Sequence, residues 1–266
     1  MAQTRKPIRS QMGWSTRDRI EVQGLDLCQD LIGHINLGDM AFLEMTGRRP
    51  NPAESAVFNA ILVTLVEHGL TPMALATRLT YMGAPESLQG AVASGLLGMG
   101  TTFAGTTEGS ARMLTETLET HPDMTIEALA EQTVASYRSG RRSIPGIGHN
   151  MHKPVDPRAE RLFDVAALHG FSGRPSALMR AIAARATAVY DRGLPVNATG
   201  AIGAISCELG LDWRVARGLA VMGRAVGLVG HLVEELRNPI APEVWLRAEE
   251  ESHDHYQHQD SDHADS

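Results

Sequence analysis

Asn51-Pro52, Thr71-Pro72 and Asp156-Pro157 each place proline directly after a residue that favours helix N-termini. Such side chains accept a hydrogen bond from the free amides of a first helical turn. Proline at the next position gives up only an amide that the helix leaves unbonded. Behind each signal the apolar residues recur at helical spacing. Val57, Ile61, Leu62 and Leu65 follow the first, with Gly69 closing the run; Met73, Leu75 and Leu79 follow the second; Leu162, Phe163 and Val165 follow the third. Pro85 predicts the start of another helix, whose Gly90, Ala91, Ala93, Ser94 and Gly95 leave it thin enough to lie close against a neighbour. Trp213 to Leu236 reads as a long final helix, with Gly223, Gly227 and Gly230 on a second close-packing face. Runs alternating with period two are missing, so the pattern predicts about ten helices, no sheet and an all-α fold.

The rest of the composition narrows the class. At 266 residues, 43% hydrophobic and 21% charged, the chain is long enough for one large core or two unequal lobes of a soluble protein. No apolar run approaches the roughly 20 residues of a membrane span. The polar, basic start from Met1 to Gln11 does not read as a secretory signal. Two distant cysteines, Cys28 and Cys207, suggest neither a disulfide framework nor a zinc site, and a reducing cytoplasm is expected. Much of the net charge of −7 lies beyond Glu249, where His253, His255, His258 and His263 are interleaved with acids. That tail is expected to be disordered and solvated, with metal binding the minor reading. The body is near neutral and shows no concentrated basic face for nucleic acid.

Three glycine-rich segments, 98–105, 140–154 and 193–203, interrupt the helices. Each alone reads as an ordinary turn. Three together, one holding Gly-Ile-Gly-His, suggest ligand loops on a rigid scaffold.

The segment Ile144-Pro-Gly-Ile-Gly-His-Asn-Met-His-Lys-Pro-Val-Asp-Pro-Arg158 closely resembles the proline-glycine-aromatic-glycine-histidine loop of the citrate synthase and citryl-CoA lyase superfamily. Other blocks agree in order. Phe42-Leu-Glu-Met-Thr-Gly-Arg-Arg-Pro50 resembles an early LTGRxP block, and Glu67-His68-Gly69-Leu70 a DHGLNAS helix end. Gly223-Arg224-Ala225-Val226-Gly227 resembles an arginine-bearing block of the last long helix. The resemblance implies a citrate synthase-like homodimer in which a large helical domain (20–106 and 212–246) is closed by a smaller helical lid (107–211), with 1–19 flexible and 247–266 a disordered acidic tail. It places His149 at the substrate's carbonyl or hydroxyl oxygen, where an imidazole can give or take a proton. His68 is implied to hold the oxo acid, and Arg158 and Arg224 to grip substrate carboxylates. Lys153 is implied to meet the coenzyme A phosphates, with Ile147 and Gly148 beside it at the coenzyme. No cofactor is expected to be permanently bound and no metal is expected in the site; coenzyme A enters as part of substrate or product.

Three positions depart from the synthase pattern. Gly100-Thr-Thr-Phe-Ala-Gly-Thr-Thr-Glu108 places Phe103 where synthases carry the histidine that stabilises the enol; the citryl-CoA lyase domain of ATP-citrate lyases also has phenylalanine there. Val196-Asn197-Ala198-Thr199-Gly200 places Thr199 at the aspartate that handles the α-carbon proton, and a hydroxyl is no carboxylate base. Asp191 is a nearby candidate substitute. In Asn238-Pro-Ile-Ala-Pro-Glu243, Ala241 falls where an arginine usually reaches across the dimer, which implies an acceptor with one carboxylate fewer or an apolar group in its place. The expected activity is therefore cleavage of a carboxylated 3-hydroxyacyl-CoA to acetyl-CoA, or a related acyl-CoA, and a 2-oxo acid. The alternatives are a condensing or hydrolytic relative acting on an unusual acyl-CoA, and a CoA-binding paralogue with little activity.

Overall fold

The computed structural model describes residues 8, 10–149 and 151–264, the stretch 254–264 by its backbone course alone. It opens on a small antiparallel sheet, β1 (Gly13–Ser15), β2 (Ile20–Val22) and β3 (Leu25–Asp26), in which Trp14 pairs with Glu21 and Val22 with Leu25. This differs from the sequence reading, which expected a flexible N-terminus through residue 19 and no sheet. The strands are two or three residues long and none of their residues is buried, so no alternating apolar face marked them.

A π-helical turn, Leu27–Leu31, follows, and α-helices make up most of the rest: α1 (Leu37–Thr46), α2 (Pro52–Val66), α3 (Pro72–Gly83), α4 (Leu88–Leu97), α5 (Gly105–Thr120), α6 (Ile126–Ser139), α7 (Pro157–Leu168), α8 (Arg174–Tyr190), α9 (Ala198–Glu208), α10 (Ala216–Arg237) and α11 (Ala241–Ala264). The three cap-and-proline signals are the starts of α2, α3 and α7. Asn51 forms a full capping box with Glu54, and Thr71 and Asp156 accept from Ala74 and Arg158 amides. Pro85 instead sits in the turn before α4, which begins at Leu88 behind Ser87, a residue that makes no capping bond.

One continuous apolar cluster joins Phe42, Phe58 and Ile61 of α1 and α2 to Leu114, Leu162, Ile182 and Ile202 of α5, α7, α8 and α9. Phe42 and Phe58 meet edge to face at 5.2 Å. Each such fully buried side chain contributes about 1.5–3 kcal/mol of hydrophobic stabilisation. A smaller cluster of Met73, Met99, Ala104, Ala220 and Leu228 packs α3 and the start of α5 against α10.

Trp213–Arg237 is long and apolar enough to cross a membrane by length and composition, contrary to the sequence reading, yet half of its most apolar window is buried inside the fold. Arg224, His231 and Glu235 are buried along it, and it packs on α2, α3 and α4 as a core helix does. Gly223 and Gly227 allow this: a Cβ on Gly227 would overlap the Val66 carbonyl, and one on Gly223 would lie 2.8 Å from Leu65 Cβ. α10 is not the final helix. α11 follows and runs through most of the tail expected to be disordered. It begins in the apolar Val244, Trp245 and Leu246, and its Ala and Glu residues are good helix formers that a charge-based reading undervalues. The side chains of His255, His258 and His263, the candidate metal ligands of the tail, lie outside the described part.

Candidate active site

The histidine loop is laid across the start of α9. Ile147 and Val196 form an antiparallel bridge, the Gly148 amide donates to the Pro195 carbonyl at 2.7 Å, and the Asn197 amide donates to the Gly146 carbonyl at 3.0 Å. Asn197 Nδ2 adds a bond to the Gly148 carbonyl at 2.8 Å while its Oδ1 caps α9. Glycine is required here: Gly146 has φ +86°, and a Cβ on it would lie 2.6 Å from Gly200 Cα.

This frame fixes His149. Its Nδ1 accepts from the amides of Met151 and His152, both at 3.1 Å, so in the neutral ring Nε2 carries the hydrogen. Arg158 Nη2 lies 3.3 Å from that Nε2; a guanidinium only donates, so with the hydrogen on Nε2 this contact sets donor against donor and is not a hydrogen bond. Arg158 is in turn locked to Asp156, Nε to Oδ1 at 3.0 Å and Nη2 to Oδ2 at 2.8 Å. Two donors thus converge, and an anionic or carbonyl oxygen is what completes them.

Asp156 is fully buried and also accepts from the amides of Arg158 and Ala198, both at 3.0 Å, tying α7 to α9. Burial alone would raise its pKa, but the bonds from Arg158 and the backbone amides outweigh it and the net shift is down. Asp156→Ala is expected to cost about 3 kcal/mol, as breaking a buried ion pair does, read as a lower urea midpoint at unchanged slope.

Arg224 comes from α10 and is 8% exposed, with Nε and Nη1 lacking any partner. A buried guanidinium with idle donors is costly unless an anion joins it. It shares a cavity of about 480 Å³ with His68, His149, Arg158, Phe103, Asn197 and Thr199, and Leu65, Met73, Met99 and Ala220 form apolar wall. No carboxylate lines it among the described residues. Thr199 donates its hydroxyl to Asn197 Oδ1 at 2.7 Å, and Phe103 is half exposed at the mouth. Asp191, the candidate substitute base, is exposed at the end of α8 and does not line the cavity. Ala241 is buried at the head of α11, also outside it.

Gly148 and His149 also border a second cavity of about 680 Å³, lined by Ile147, Lys153, Tyr190 and Leu194 together with Arg138, Arg141, Arg142 and Arg192. Sequence reasoning found Lys153 and missed the four arginines. Three of them directly precede the loop in Tyr137-Arg-Ser-Gly-Arg-Arg142, which was the available signal. It also missed His152, whose ring stacks on His149 at 4.4 Å and lies 6.3 Å from His68. Ring nitrogens of His68, His149 and His152 all fall within 4.8 Å of one another. A divalent cation held by them would face Arg158, which Asp156 pins beside His149, so the trio suits an anion better than a metal.

Burial, then the charges of His152 and Arg158, lower the pKa of His149; partial burial, then Arg158 and Arg224, lower that of His68. His68 is exposed at the rim, so for it the guanidiniums carry the argument. Both rings bind protons less well folded than unfolded. Stability from these groups is therefore complete above the unfolded histidine value of about 6.5 and falls as the pH drops below it. Thermal melts from pH 8 to 5 are expected to show that acid loss, and His149→Gln to reduce it; a melting temperature that rises on acidification contradicts it.

The helical scaffold, with a histidine loop and a helix-borne arginine lining one cavity beside a second, cationic one, defines a protein of the citrate synthase type. The chain belongs to the citrate synthase family: the model of the citrate synthase C-terminal domain matches residues 38–243. The solved citryl-CoA lyase of Hydrogenobacter thermophilus is similar over 88% of both chains, with 31% identity and a TM-score of 0.80. The ATP citrate lyase of Methanothrix soehngenii, solved with citrate and coenzyme A, shares the fold at a TM-score of 0.74 and 22% identity, over 88% of this chain and 40% of that one. Among curated proteins, a probable ATP-citrate synthase of Dictyostelium discoideum is 26% identical over 83% of this chain and 37% of its own length. Citrate synthase 2 of Bacillus subtilis is 24% identical over 73% and 50%. The chain thus spans half or less of the length of these two curated relatives.

Proposed function

We propose that the protein is a citryl-CoA lyase-like enzyme that cleaves a carboxylated 3-hydroxyacyl-CoA into acetyl-CoA, or a related acyl-CoA, and a 2-oxo acid. The observation that carries this reading is Arg224, a buried guanidinium with idle donors, set in one cavity with the paired donors of His149 and Arg158. The arginine-lined cavity on the other side of Gly148 suits the phosphates of coenzyme A. The similarity to the Hydrogenobacter citryl-CoA lyase supports the lyase direction.

In this mechanism a substrate carboxylate takes Arg224 and the hydroxyl oxygen takes His149 Nε2–H and Arg158. These two donors steady the alkoxide as the carbon–carbon bond breaks. His149 is thereby narrowed from giving or taking a proton to donating a hydrogen bond. The neutral His68, its ring 6.2 Å from that of His149, takes the hydroxyl proton. The bonding pair passes to the thioester as its enolate, and the proton returns from His68 to the α-carbon, so the balance closes without a carboxylate. Phe103 at the mouth adds apolar wall beside the thioester.

The reading extends to a cytoplasmic homodimer with residues 107–211 as a lid. Support for a second copy is the exposed apolar face of α10, formed by Val226, Val229, Val233 and Leu236. A second reading, a CoA-binding paralogue with little activity, is favoured by the lack of any carboxylate among the described cavity residues. Melting temperatures with CoA thioesters, each with and without 2-oxo acids, separate the two. The lyase reading predicts that one thioester and one oxo acid stabilise more together than singly; stabilisation by coenzyme A alone, indifferent to every oxo acid, favours the paralogue. Thr199→Asp is expected to add citrate synthesis from oxaloacetate and acetyl-CoA, followed as free thiol released, because it restores a carboxylate base at α9.

A further inference from the structure

Away from the cavity, a line of polar groups, buried at Glu235, Arg78 and His231 and exposed at Glu67, runs from the root of α11 to the His68 peptide. The amides of Ile240 and Ala241 donate to Glu235 Oε1 at 3.0 and 2.9 Å, and Arg78 Nη1 donates to Glu235 Oε2 at 2.7 Å. Arg78 Nε and Nη2 then meet His231 Nδ1 at 3.2 and 2.9 Å, and Arg78 also pairs with Glu234. His231 Nε2 reaches Glu67 at 3.1 Å. Glu67 Oε1 accepts from the amides of His68 at 2.9 Å and Gly69 at 2.5 Å. Arg78, His231 and Glu235 are 1%, 7% and 5% exposed.

The direction of each bond is fixed. Arg78 can only donate, so His231 Nδ1 accepts and Nε2–H donates to Glu67. A second proton on the ring would point at the guanidinium, so His231 works as a neutral bridge. Its effect on the site follows from what Glu67 touches. That carboxylate holds the two amides that set the His68 peptide, and its charge is felt by Arg224. Released from His231, it is free to turn towards the idle donors of Arg224 and compete with a substrate carboxylate. The carboxylate is 47% exposed and has room to move.

We propose that His231 is a positioning residue: as a neutral bridge to Glu67 it sets the His68 peptide and keeps Arg224 open, and so couples the root of α11 to the oxo-acid side of the site. The kinetic part of the proposal rests on the lyase reading; the positioning part does not.

The test uses the full chain with His231→Leu and His231→Gln, the glutamine offering an acceptor and a donor in the same sense as the ring. His231→Leu is expected to raise KM for citryl-CoA about tenfold, the loss of one hydrogen bond to a charged group, with the Kd for coenzyme A within about twofold because the arginine-lined cavity is not part of this line. Amide exchange at His68 and Gly69 is expected to quicken about tenfold as their acceptor is loosened, and His231→Gln to recover most of both effects. A purely structural role lowers the melting temperature and the active fraction, but leaves KM and local exchange as they were. The proposal is overturned if His231→Leu keeps wild-type KM and exchange at His68 and Gly69, or if His231→Gln is no better than leucine. If the wild-type protein leaves citryl-CoA intact, the lyase reading fails, and the exchange rates alone decide whether His231 positions the peptide.

Discussion

Arg224→Met is expected to lower kcat/KM for citryl-CoA by about 10²–10³-fold, the cost of leaving a substrate carboxylate buried without its partner, and at the same time to raise the melting temperature of the ligand-free protein. Both effects have one cause. Arg224 is 92% removed from solvent, its Nε and Nη1 have no partner, and its pKa is lowered by burial with Glu67 only partly opposing. Without ligand the guanidinium has lost water and gained little. Methionine fills similar space with no charge to desolvate and is expected to add about 1 kcal/mol of stability. Steady-state kinetics and melting curves on one preparation check the pair. A variant that is both inactive and less stable would mean that Arg224 holds the fold together rather than a carboxylate.

The second large effect is on kcat. His149→Ala is expected to reduce it by about 10²–10³-fold, the usual result of deleting one donor to a developing oxyanion, while KM changes far less because Arg224 still anchors the carboxylate. Arg158 remains in place, since Asp156 and not His149 holds it. An equal loss in His149→Ala and in the His149→Ala, Arg158→Ala double variant is the sign of two donors acting as one unit. A change confined to KM contradicts the assignment.

The polar residues that share the cavity were legible where they sit in short motifs. His149, Arg158 and the Asp156 cap lie within ten residues, and the loop glycines mark the backbone that turns there. His68 and Arg224 needed the family resemblance, since nothing local distinguishes a histidine at a helix end or an arginine in a long helix from surface residues. The cationic cavity was hidden for a different reason. Its arginines come from α6, the following turn and the segment after α8, and only the fold converges them with Lys153. The bridge from Arg78 to His231 spans 153 residues of sequence and was equally invisible. At the ends of the chain, short exposed strands and a polar helix lacked the apolar periodicity that makes an element readable.

Thr199 and Phe103 keep their importance, with a sharper meaning. The sequence showed a missing base and a missing enol histidine. In the structure the cavity walls hold no carboxylate from any other described segment, and Thr199 spends its hydroxyl hydrogen on Asn197. Under the lyase proposal the chemistry falls to imidazoles and guanidiniums, which suits breaking a bond in a substrate that already carries its hydroxyl proton.

The most direct measurement of the central claim is to incubate the purified protein with citryl-CoA and follow acetyl-CoA and oxaloacetate together. The lyase account predicts that both appear in equal amounts at a rate proportional to protein and that Arg224→Met and His149→Ala suppress both. Release of free coenzyme A and citrate in their place would reveal a hydrolase. Binding of citryl-CoA with neither pair of products would contradict carbon–carbon cleavage of this substrate.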